Sequence, residues 1–242
     1  MTDKPTLMVF SAHTADFISR CGGTIAKYSR AGSTVFVVCL SYGERGESPR
    51  LWRERAGITV DEVKRVRQEE MARAAHVLGA EVTCLDCGDN PLVVGKDDIL
   101  KMMSLLYQYR PQIVLTHWTQ EPMNPDHATA ADVALRTVSH AALVDMEGAP
   151  LQWPQVYLFE PSVPETEETH FRPDTYIDIT DVFETKMEAL RQLETQPYLA
   201  EFYQRYGEYR AWQARDLTGR KDIKYAEAFA RYSPWTGSQF PL

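Results

Sequence analysis

Positive charge is in short supply in this chain. Its 242 residues carry 26 Lys and Arg against 34 Asp and Glu, a formal net charge of −8 with a pI near 5.3. No run of like charge stands out, so a nucleic-acid partner is not expected. Long apolar runs are missing too. No stretch reaches the length of a membrane-spanning helix, and the first residues hold no apolar signal core. The expected location is therefore cytoplasmic, away from membranes. Cysteine is sparse, with only Cys21, Cys39, Cys84 and Cys87. Cys39 falls in the apolar run 35–40 and reads as a small buried hydrophobe. Cys84 and Cys87 have C-x-x-C spacing, but they close a strand and run into Gly88-Asp89-Asn90-Pro91 instead of opening a helix. That favours a structural role over a redox one. Repeats, low-complexity stretches and an evident linker are also absent.

What the chain does have is apolar residue enough for a core, at 44% of the total. The pattern alternates short β-branched runs with amphipathic stretches. Strands are predicted at 6–11, 34–41, 81–86, 112–116, 155–159 and 175–179. Helices are predicted at 18–30, 61–78, 96–110, from Pro125 to about 140, and at 181–194. Asn124 reads as an N-cap with Pro125 at the first helical position, and Asp181 with Glu184 as a capping box. Gly22-Gly23 would weaken the first helix unless a neighbour packs close there. The tail from Tyr198, rich in Tyr, Trp and Arg, is expected to wrap the rest. The fold class is α/β: a Rossmann-like, mostly parallel sheet flanked by helices. Residues 1–148 form the core of one domain, and an α+β extension over 149–242 completes the site. Parallel strands with right-handed crossovers bind ligands at their carboxyl ends. His13, the loop 44–50, the loop 86–90 and His117 all fall at such ends.

Two short strings carry the chemistry. Ala12-His13-Thr14-Ala15-Asp16 follows the first strand, and Asn124-Pro125-Asp126-His127 opens a helix about a hundred residues on. His13, Asp16 and His127 offer three ligands and an open fourth position, the ligand count of a catalytic zinc site. Each histidine alone would read as an ordinary polar residue at the end of an element. The joint pattern favours a metal, and the donor set suits zinc while leaving other divalent ions possible.

These strings resemble the LmbE-like (PIG-L) zinc deacetylases, whose motifs read Ala-His-Pro-Asp-Asp-Glu and His-Pro-Asp-His. The likeness extends to the Gly22-Gly23 helix, the Arg67-Gln68-Glu69-Glu70 helix opening and Tyr225-Ala226-Glu227-Ala228-Phe229. It implies zinc ligands at His13, Asp16 and His127. Two positions depart. The residue before the ligating aspartate, in the deacetylases the carboxylate that activates water, is Ala15 here. The histidine that steadies the oxyanion is Asn124 here. Losing such a base costs roughly 10²–10⁴-fold.

Gly43-Glu44-Arg45-Gly46-Glu47-Ser48, then Leu51-Trp52-Arg53 and Arg172-Pro173-Asp174-Thr175, resemble a hydratase branch of the same family from bacterial gallate catabolism. That branch implies addition of water to the carbon–carbon double bond of an unsaturated keto polycarboxylate such as 4-oxalomesaconate. It carries a histidine after Phe-Glu-Pro, where this chain has Ser162. The alternative is a zinc-dependent N-deacetylase or amide hydrolase. For the hydratase, Glu47 is the expected general base, with Glu44 its competitor; both also fit a solvated loop. His117 is a candidate proton donor. Asp126 would orient a ligating histidine, or only favour the helix N-terminus. An anionic carboxylate substrate calls for guanidinium forks, and Arg45, Arg50, Arg53, Arg172 and Arg210 are the candidates. The cleft should then be locally positive. A homo-oligomer is possible.

Overall fold

The structure is a computed structural model that describes residues 4–143 and 151–234. The first strand, β1 (Leu7–Ser11), leads into α1 (Asp16–Arg30), then β2 (Val35–Cys39), α2 (Pro49–Glu54), α3 (Val60–Leu78) and β3 (Glu81–Cys84). There follow α4 (Lys96–Tyr109), β4 (Ile113–His117), α5 (Pro125–Leu143), β5 (Gln155–Phe159) and β6 (Thr175–Asp178). A 3-10 turn (Thr180–Val182), α6 (Phe183–Arg191), α7 (Tyr198–Thr218) and β7 (Ala226–Arg231) complete the series.

The described strands form one sheet in the order β3-β2-β1-β4-β5-β7-β6. Strands β1 to β5 pair in parallel, while β7 runs antiparallel to both β5 and β6. Both faces of the centre are covered. Leu7, Val9, Val35 and Val37 pack towards α1, α3 and α6. Met8, Phe10, Val38 and Val114 pack with Met102, Leu106 and Ala130 of α4 and α5. A strand buried on both faces needs apolar residues without alternation, which is why VFVVC is continuous.

Chain order reverses between β1 and β4, which lie side by side although α1, β2, α2, α3, β3 and α4 separate them in sequence. The carboxyl ends of two such strands leave a crevice between diverging loops. His13 leaves β1 there, and His117 ends β4 there.

Gly23 has no room for a side chain: a Cβ would sit 2.7 Å from Ile179 Cδ1. Just before it, Cys21 departs from helical geometry (φ −137°), and α1 breaks. The amides beyond the break are not orphaned, because the Glu227 carboxylate accepts from Gly23 N at 2.8 Å and Thr24 N at 2.7 Å. Lys186 Nζ, 2.6 Å from Glu227, neutralises it.

The structure differs from the sequence reading after β2, in the tail and at two caps. Residues 49 and 50, expected to end the loop after β2, instead open the short helix α2. The tail from Tyr198, given no elements in the sequence reading, is α7 followed by β7, which pairs between β5 and β6. The box expected at Asp181 and Glu184 does not form. Val182 takes that N-cap, and Asp181 instead pairs with Lys27 and Arg30. A full capping box stands at Thr59 and Glu62, opening α3. All four cysteines are free thiols. The core–extension boundary expected at 148/149 lies outside the described residues. No described helix is long and apolar enough to cross a membrane.

Candidate metal centre

Three loops and two helix starts converge at the crevice. Past β1 the chain turns tightly: Asp16 Oδ2 accepts from His13 N at 2.9 Å, and Ser11 Oγ donates to His13 O at 2.7 Å. That turn puts the Asp16 carboxylate at the head of α1, facing back onto His13. His127 comes from the first turn of α5, where Asn124 Oδ1 accepts from Asp126 N at 3.2 Å, as an N-cap should. The loop after β2 is itself built. Gly43 has φ +70°, and a Cβ there would lie 3.1 Å from the Glu47 Cβ. Asp89 accepts from the amides of Arg45 and Gly46, and Ser48 Oγ donates to Gly43 O. The result carries Glu47 over the cluster.

His13, Asp16, Glu47 and His127 each offer a ligand atom, and these atoms all lie within 4.8 Å of one another. His13 Nδ1 is 3.2 Å from both Asp16 Oδ2 and Glu47 Oε1. His127 Nε2 is 3.3 Å from Asp16 Oδ1 and 3.8 Å from Glu47 Oε1. The donor chemistry fits a divalent cation. His13 Nδ1 is buried without a hydrogen-bond partner, and two carboxylates share its side of the ring. A buried polar atom in that position is costly unless something satisfies it. The imidazoles and carboxylates also shift one another's protons. Burial works against a charge on His13, but Glu47, Asp126 and Asp16 lift its pKa well above the ordinary value. His127, by the same opposition of burial and Asp16, rises to about 9. Burial would raise Asp16 and Glu47; the imidazoles overcome it, holding Asp16 well below the carboxylate range and Glu47 at about 2.

Each histidine is backed by a carboxylate on its other nitrogen. Asp126 Oδ2 lies 3.6 Å from His13 Nε2 and is itself held by the amides of Asn90 at 2.7 Å and Leu92 at 2.9 Å. Glu121 Oε2 lies 3.6 Å from His127 Nδ1 and accepts from the Ser162 amide. Such partners fix the ring and raise its basicity. Glu121→Gln is therefore expected to weaken metal affinity by about 10–100-fold, measured by competition with a chelating dye, with the fold retained.

A search for related families matches PIG-L, described as GlcNAc-PI de-N-acetylase, over residues 8–138. The chain belongs to the PIG-L family. A 4-oxalmesaconate hydratase of Pseudomonas putida is 38% identical over 238 residues, covering 96% of this chain and 91% of that protein. The crystal structure of a 4-carboxy-2-hydroxymuconate hydratase from the same species superposes with a TM-score of 0.92 at 37% identity, covering 98% of this chain and 100% of that one. A diacetylchitobiose deacetylase of Thermococcus kodakarensis is 27% identical over 80% of this chain and 71% of its own length. The α/β fold expected from strand–helix alternation is that of PIG-L proteins.

Within this PIG-L site the residues singled out in the sequence are dispersed. His13, Asp16, His127 and Glu47 come together. Glu44 does not: it is buried in the same loop, 3.7 Å from Lys64 Nζ, with its carboxyl raised by burial. His117 stacks on His127 at 4.4 Å, but its Nε2 accepts from the Ala12 amide at 2.9 Å. Burial, and then His127, push its pKa well down. It stands as a neutral prop for the β1 turn, and that nitrogen has no proton to donate.

None of the arginines expected to hold substrate lines the cavity beside the cluster. Arg45, Arg53 and Arg172 are exposed, and Arg172 borders a separate open groove with His170. Arg50 pairs with Glu54 and donates to Glu194 O. Arg210 is fully buried on Glu160 and Glu165. Two other arginines reach the site. Arg67, wholly buried, places Nη2 3.6 Å from Glu47 Oε2 and is steadied by Glu70 and Thr195. Arg20, one turn after Asp16, lines the cavity. The i, i+4 spacing from Asp16 was the signal for Arg20; Glu121 sits in an irregular loop that offers none.

Proposed function

We propose that this chain is a zinc-dependent hydratase. It adds water across the carbon–carbon double bond of an unsaturated keto tricarboxylate of the 4-oxalomesaconate type, whose enol tautomer is 4-carboxy-2-hydroxymuconate. The observation that carries the reading is the exchange of carboxylates. The position before Asp16 holds the methyl of Ala15, and Glu47 from the next loop stands in the cluster instead. The likeness to two hydratases over nearly the whole chain supports it.

His13, Asp16 and His127 would hold the ion, with Asp126 and Glu121 aligning the rings. A bound zinc acts as a Lewis acid on the substrate carbonyl. Glu47 is ionised at neutral pH, the state a proton acceptor needs. It takes a proton from water as the water oxygen bonds to the far carbon of the double bond. The alkene electron pair moves towards the carbonyl to give an enolate, whose neighbouring carbon takes that proton back from Glu47. Arg67 holds Glu47 Oε2, leaving Oε1 turned to the cluster. The substrate is a small anionic carboxylate met in the cytoplasm, not a nucleic acid or a membrane.

The test is turnover. Purified protein should consume 4-oxalomesaconate, lose that activity to a chelator and regain it with zinc. It should leave N,N'-diacetylchitobiose untouched. Deacetylation of the sugar with no hydration of the enone would reverse the assignment.

A further inference from the structure

The cavity beside the cluster holds about 230 Å³. Asp16, Glu47 and His127 of the cluster line it, together with Tyr198, Phe202 and Tyr203 of α7. With a divalent ion in place, the carboxylates of Asp16 and Glu47 offset its charge. A polyanion then needs a further cation, and Arg20 is the sole Lys or Arg among the described residues that line the space.

We propose that Arg20 binds a carboxylate of the substrate. This rests on the hydratase reading and names the residue that selects for acid. Arg20 is 6% exposed, and its guanidinium is held from three sides. Nε faces Asp16 Oδ1 at 3.5 Å, Nη1 donates to Glu160 O at 2.5 Å, and Nη2 donates to Ser162 Oγ at 3.1 Å. A guanidinium carries five N–H groups, so two remain for a fork onto carboxylate oxygens. The fork is pre-aimed. Arg210 grips Glu160, and the Glu160 carbonyl in turn receives Arg20. Ser162 places a hydroxyl on the same nitrogen edge. Arg20 adjoins Asp16, so the carboxylate it takes lies close to the carbonyl seated at the cluster. A neutral sugar amide offers such a fork no anionic pair of oxygens.

The experiment compares tricarballylate with glutarate, which has the same five-carbon chain without the central carboxylate. Binding to metal-loaded protein is measured by calorimetry, with metal content and unfolding midpoint recorded for each variant. Wild-type protein should prefer tricarballylate. In Arg20→Met that preference should fall to near one, and the KM for the tricarboxylate substrate should rise about 10–100-fold with a smaller change in kcat. Arg20→Lys keeps the charge but loses the fork, and should cut the preference several-fold. If the methionine variant does not fold, the lysine variant alone decides. An unchanged preference in a folded, metal-loaded variant overturns the proposal. Binding needs no turnover, so this failure is distinct from failure of the hydratase assignment.

Discussion

Glu47→Gln should lower hydration turnover by about 10²–10⁴-fold while leaving the fold intact. The substitution keeps size and removes the charge and the proton-accepting oxygen. Glu47 Oε1 lies 3.2 Å from His13 Nδ1, and Oε2 lies 3.6 Å from Arg67 Nη2. Arg67 keeps Glu70 at 3.0 Å and Thr195 at 2.6 Å, so it is not stranded when Glu47 loses its charge. Metal content distinguishes two ways the carboxylate can act. A base leaves zinc affinity near wild type while the rate collapses. A fourth ligand loses affinity and rate together. Glu44→Gln is the control, because Glu44 faces Lys64 instead of the cluster. A Glu47→Gln variant at full rate removes Glu47 from the chemistry.

Arg210→Met should cost about 3–5 kcal/mol of stability, read as a lower denaturant midpoint. Arg210 is fully buried, with Nε 2.9 Å from Glu160 Oε2 and Nη1 2.7 Å from Glu165 Oε1. Burial already lifts the Glu160 carboxyl above its usual range, and Arg210 is the main force opposing that lift. Removing the cation alone leaves Glu160 buried without its partner. Adding Glu160→Gln to the same chain should restore part of the loss, because the second change removes the uncompensated charge. A midpoint equal to wild type would return Arg210 to the pool of substrate contacts.

The two arginines teach the same lesson from opposite ends. Arg210 was a reasonable candidate as a basic residue in an aromatic tail, but α7 carries it inward onto two carboxylates. Arg20 lies outside the strings that carry the ligands, yet one turn of α1 sets it beside Asp16. Guanidinium identity is local; whether its donors face solvent, a carboxylate or a cavity depends on what packs opposite. The same holds for His117. Its place at the end of β4 was readable from the apolar run before it. That its nitrogen serves the Ala12 amide depends on β1 lying next to β4, a long-range pairing.

Local order explains what was legible without coordinates. Apolar runs buried on both faces, the Pro125 start and the short His13–Asp16 spacing depend on neighbours within a few residues, so the strand–helix series and the ligand string could be read directly. Which loop carboxylate replaces the one missing at Ala15, which residue backs His13, and which arginine faces the cavity depend on contacts between residues about 30 to 140 positions apart. Only the assembled sheet, by reversing its chain order between β1 and β4, brings those partners within a few ångströms.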